Sequence, residues 1–110
     1  MNSKLKCFLS GPGNSPDETE KIKSILEGMG YEVHTPYQLI EGIDAQNLDD
    51  IELQDMRNDS IYDCAHLILM EGWKENVFAR LDKLYAEKCG IGISYASELL
   101  REHLNKTSTA

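Results

Sequence analysis

Short apolar runs alternate along this chain with segments whose apolar positions recur every three to four residues. Leu5 to Ser10 is an apolar run of strand length that stops at Gly11, Pro12 and Gly13, a cluster of residues that punctuate the backbone. Ser15, Pro16 and Glu18 then supply an N-cap, a first-turn proline and the acid of a capping box, so a helix is predicted to start there. Its apolar residues Ile22, Ile25, Leu26 and Met29 form one stripe of a 3.6-residue period, and Gly30 is a suitable left-handed stop. Tyr31 to His34 predicts a second strand ending before Pro36. The stretch from Tyr37 to Asn47 has no strong period and reads as a loop over a strand end. A helix from about Leu48 to Tyr62 follows, with Asp49 and Asp50 where the partial positive charge of a helix start favours them. His66 to Met70 is a third strand closed by Gly72 and Trp73. Asn76 caps a helix that runs to Cys89 and stops at Gly90, Ile91 to Ser94 makes a fourth strand, and Ala96 to Leu104 a last helix.

The order β-α-β-α-β-α-β-α implies a mostly parallel sheet of four to five strands with helices on both faces, a three-layer α/β domain. Ligands of such sheets bind outside the carboxyl ends of the strands, beside the point where the strand order reverses. The candidate site is therefore drawn from Ser10 to Ser15, Pro36 to Asn47, Glu71 to Asn76, and Tyr95 onward. Residues 1–104 read as one domain, and 105–110, small and polar, as a flexible tail.

Composition narrows this picture. With 110 residues, 41% of them hydrophobic, the chain suits one core and excludes a complete (β/α)₈ barrel. Eleven Lys and Arg against nineteen Asp and Glu give a net charge of −8, which excludes non-specific binding to nucleic-acid backbones. A small anion stays possible, because backbone N–H groups at a helix start can hold a phosphate without a cationic side chain. Cys7, Cys64 and Cys89 form no C-x-x-C pair and read as reduced thiols in a core. No signal-peptide core or membrane span is apparent, so a cytoplasmic protein without membrane contact is expected. His34, His66 and His103 lack the spacing of a metal pair, and no metal or other cofactor is expected.

Three groups of residues could carry chemistry. The loop Ser10-Gly11-Pro12-Gly13-Asn14-Ser15 is neither a P-loop, lacking Lys, nor a dinucleotide fingerprint, since Pro16 stands where the third glycine belongs. It still offers free N–H groups to an anion or a ribose, or serves only as a tight turn. Asp82 lies on the helical stripe that holds Phe78, Leu81, Tyr85 and Cys89. A carboxylate facing the sheet is costly unless paired or used, which marks it as a tuned acid or nucleophile; at the stripe's edge it would simply reach water. Asp55, Asp59 and Asp63 recur every four residues and read as a solvated face, unless one turns towards Asp82 to make a two-carboxylate arrangement suited to glycosidic chemistry. Trp73 could stack on a base or cover the core.

Several segments, in order, carry a resemblance: Phe8-Leu9-Ser10-Gly11-Pro12, Gly30-Tyr31-Glu32-Val33 with Pro36, Asp63-Cys64 leading through Leu67 to Met70 and Gly72-Trp73, and Ala79-Arg80-Leu81-Asp82 with Gly90. Over about residues 4–95 the chain resembles the nucleoside 2-deoxyribosyltransferase-like superfamily, in particular its small phage and bacterial members. The resemblance implies a flavodoxin-like or Rossmann-like domain in which a glutamate attacks the anomeric carbon of a nucleoside or nucleotide and releases the base. That position falls on Asp82, one methylene shorter. An aromatic hydroxyl that steadies the nucleophile falls on Phe8, a small residue falls on Phe78, and an Asp after the Asp-Cys pair falls on Ala65. The resemblance implies Asp82 as nucleophile; read as an enzyme, the chain would use Asp63 or Asp59 as the proton-handling acid and Ser10, Gly11, Gly13 and Asn76 on sugar or phosphate. Phe8, Pro12, Trp73 and Phe78 would complete the substrate site, and a homo-oligomer is expected. A retraction of about an ångström can cost on the order of 100-fold in rate. Two functions stay open: an N-glycosidase or deoxyribosyltransferase, and a non-catalytic nucleotide-binding or protein-interaction module on the same fold.

Overall fold

The computed structural model describes residues 5–11, 16–41 and 47–108. The expected loop residues Pro12 and Gly13, the Ser15 cap and residues 42–46 lie outside the described residues. The elements are β1 (Leu5–Ser10), α1 (Pro16–Gly28), β2 (Tyr31–His34), α2 (Pro36–Leu39), α3 (Asp50–Asp63), β3 (His66–Leu69), a 3₁₀ turn (Trp73–Glu75), α4 (Val77–Cys89), β4 (Gly92–Tyr95) and α5 (Ala96–Ser108). All four strands are parallel, in the order β2-β1-β3-β4. Leu5 lies opposite Tyr31, Cys7 opposite His66, and His66 opposite Gly92.

Alternation along β1 divides the core into two layers, one on each face of the sheet. Cys7 and Leu9 point to one face, where Leu26 of α1 and Ala96 of α5 meet Val33, Ile68 and Met70. Phe8 points to the other, where Ile61 of α3 and Ala79 and Ala86 of α4 meet Leu67 and Leu69. The sheet is thus covered on both sides, which gives the three-layer Rossmann-like architecture expected of a parallel sheet. Among the described residues, no helix is long and apolar enough to cross a membrane.

Several boundaries differ from the sequence expectation. Pro36 to Leu39, expected as loop, is a single helical turn: Pro36 occupies its first position, and the Gln38 side chain accepts from the Thr35 N–H at 3.1 Å. One turn is too short to show a period. Helix α3 starts at Asp50 because Asp49 is its cap, its carboxylate accepting from the Glu52 N–H at 2.8 Å. Helix α5 continues to Ser108 through most of the expected tail, as neither Gly nor Pro interrupts it. Cys7 and Cys64 are buried as expected, and burial pushes their thiols up to about 12 and about 11. Cys89, expected in the core, is exposed.

At the carboxyl ends of β1 and β3 the two backbones nearly touch. The Met70 N–H donates to the Ser10 carbonyl at 2.7 Å, and a Cβ on Gly11 would lie 2.6 Å from that of Met70. Gly11 is therefore required by close approach, whatever else its loop does.

Candidate functional site

The strand order reverses between β1 and β3, so the crevice predicted for ligands opens beside Ser10 and Met70. Ser10 is the last residue of β1 and is fully buried. Helix α4 lies close to it because its buried positions are Ala79, Asp82 and Ala86, two of them too small to hold the helix away. This corrects the expected stripe: Leu81 and Cys89 are exposed, and Asp82, far from reaching water at an edge, has 0% exposure.

Among the described residues, three side chains hold the Asp82 carboxylate. The Ser10 hydroxyl donates to Oδ2 at 2.6 Å. Arg57, reaching from α3 and only 9% exposed, donates through Nε to Oδ1 at 3.2 Å and Oδ2 at 3.1 Å, and through Nη2 to Oδ2. The same Nη2 donates to the Ser10 oxygen at 3.1 Å. Gln54 Nε2 donates to Oδ1 at 2.8 Å and to the Asn58 side chain at 2.9 Å. The guanidinium carbon sits 5.6 Å from the ring centre of Phe8 and 5.3 Å from that of Phe78, so both rings add a cation–π attraction. A carboxylate has about four lone-pair positions. With five donor contacts from three side chains, Asp82 keeps no open face.

The residues named from the sequence are partly united. Ser10, Phe8, Phe78 and Asp82 gather around one guanidinium. Asp59 and Asp63 do not join them: both are exposed, and Asp63 ends α3 just before β3, at the amino edge of the sheet, away from Ser10. Gln54 and Arg57 take the place expected for a second carboxylate. The available signal was that Arg57 is the sole cation in α3, a helix otherwise rich in acids. Asn76 serves the backbone, its side chain accepting from the Ala79 N–H at 2.9 Å as the cap of α4.

Open space lies along the carboxyl edge of the sheet. A cleft of about 430 Å³ sits over the carboxyl ends of β3 and β4. Trp73 and Tyr95 line it, their ring centres 6.1 Å apart and their planes inclined by 36°, while both also pack on the core beneath. Glu71, Glu75 and Glu98 line it too, with Lys74. The ammonium groups of Lys74 and Lys83 lie 5.9 and 5.8 Å from the Trp73 ring centre. A smaller recess of about 180 Å³, walled by Tyr37, Leu53, Met56 and Phe78, reaches Arg57 without reaching Asp82. Among the described residues, no group of three or more His, Cys, Asp or Glu side chains is placed to hold a metal.

No protein-family model, curated protein or solved structure matches this chain. Fold and site define its class: a small Rossmann-like α/β domain with a sealed ion pair at the switch point and an open aromatic cleft along the carboxyl edge of the sheet.

Proposed function

We propose that this chain is a nucleoside- or nucleotide-binding module of the cytosol, built like the nucleoside 2-deoxyribosyltransferase-like proteins it resembles but without their reaction. The observation that carries this reading is the closure of Asp82. A nucleophile must present a lone pair to an anomeric carbon about 3–3.5 Å away across open space. Here both carboxylate oxygens are occupied by Ser10, Gln54 and Arg57 inside the protein. Freeing one means breaking a buried ion pair, a change worth about 3–5 kcal/mol when one partner is simply removed. The open cleft with its aromatic pair suits a planar ring, since stacking on an aromatic side chain contributes about 1–3 kcal/mol per base.

Calorimetry and chromatography on the same mixtures test this. With a panel of nucleosides and 5′-monophosphates, we expect a heat of binding for at least one member and no free base after prolonged incubation. Appearance of free base would overturn the non-catalytic reading in favour of an N-glycosidase or deoxyribosyltransferase. One feature favours that second reading: Asp82 meets Ser10 at the carboxyl end of β1, where the resemblance implies a nucleophile.

A further inference from the structure

Ligand-binding charge in a parallel α/β domain normally comes from helix starts, because the carboxyl edge of the sheet is where the helices begin and their free N–H groups attract phosphate. In this chain three of the five described helices hold carboxylates there, while α2 and α4 have none. Helix α1 has Asp17 and Glu18 in its first turn, α3 has Asp50 and Glu52, and α5 has Glu98. The α4 start has no acid, but its cap is filled by Asn76. The aromatic cleft repeats the pattern, with Glu71, Glu75 and Glu98 against one cation, Lys74, among the described residues that line it. Lys83, the other cation near Trp73, is paired with Glu87 at 3.2 Å.

We infer that the ligand of the Trp73–Tyr95 cleft is an unphosphorylated nucleoside or a related uncharged or cationic ring compound, and that a 5′-phosphate is rejected. This rests on the nucleotide-or-nucleoside reading above and decides between its two members. The indole and phenol rings supply the stacking surface. The three glutamates accept hydrogen bonds from sugar hydroxyls or exocyclic amino groups, donors that a nucleoside has and that a carboxylate binds well. A phosphate dianion brought to the same rim meets like charge, and Glu98 answers the partial positive charge at the start of α5 that would otherwise draw it in.

Trp73 is the sole tryptophan of the chain, so its fluorescence reports on this cleft alone. Adenosine, cytidine and thymidine, each alongside its 5′-monophosphate, are titrated at low ionic strength, with calorimetry in parallel. We expect at least one nucleoside to change the Trp73 emission and to bind on the order of tenfold more tightly than its monophosphate, a ratio that shrinks with added salt. In a variant combining Glu71→Gln, Glu75→Gln and Glu98→Gln, the monophosphate should approach the nucleoside. Equal or tighter binding of the monophosphate, or a ratio unchanged in that variant, overturns the inference while leaving nucleotide binding intact. Binding seen by calorimetry with no change in Trp73 emission places the ligand elsewhere and also overturns it. The absence of heat for every compound overturns the binding reading and the inference together.

Discussion

Arg57 and Asp82 are each tolerable inside the protein only because the other is there. A buried charge that loses its partner keeps its desolvation cost and loses the compensating attraction. Asp82→Ala and Arg57→Ala should each lower stability by about 3–5 kcal/mol, read as an earlier urea midpoint with little change in slope. The double variant Arg57→Met/Asp82→Leu, which replaces the pair with apolar volume, should recover most of that loss. A double variant as unstable as the two single losses added together would show that the pair is not a self-contained unit. The two residues were unequally legible. Asp82 stood out because a carboxylate on an apolar helical stripe must be explained. Its partner comes from another helix, and no periodicity or spacing links positions 25 apart in the chain.

Elements were most legible where one signal ran over many residues, and least where a boundary hung on a single cap or turn. The stripe on α4 shows why. Leu81 and Cys89 suggested the inward face, yet they are exposed, and the face buried with Asp82 belongs to alanines that weigh little in any hydrophobic pattern. The pairing of β3 with β4 carries a further consequence. His66 lies beside Gly92, where a Cβ would come within 2.7 Å of its ring, and its Nε2 is 2.6 Å from the Ser94 hydroxyl. Burial lowers the His66 pKa from 6.5. The unfolded chain therefore takes up this proton more readily than the folded one, and stability should fall as pH drops below about 6.5. Thermal unfolding followed from pH 7.5 to 5.5 should show this slope, and His66→Gln should flatten it. An equal slope in the variant would remove His66 as the cause.

At the scale of the whole molecule, the alternation of strands and helices announced a parallel sheet, but not the order of its strands. That order decides which loops meet, and so the cleft, whose walls come from Trp73, Tyr95 and Glu98, could not be read from the sequence as one place. The same order divides the molecule along a seam. Leu5 finds Tyr31, and His66 finds Gly92, across a single strand-helix-strand unit, whereas Cys7 must wait for His66 at more than twice that separation. Closing the longer loop costs more entropy before any contact rewards it, so each half can form before the seam does. In pulse-labelled refolding, amides of β1 that face β2 should be protected before those that face β3; simultaneous protection would count against this order. The residues of the buried cluster are distributed across the division, with Ser10 from the first half, Asp82 from the second and Arg57 from the helix that bridges them. The ion pair at the switch point is thus assembled last, and it acts as a clasp that closes only on a correctly joined sheet.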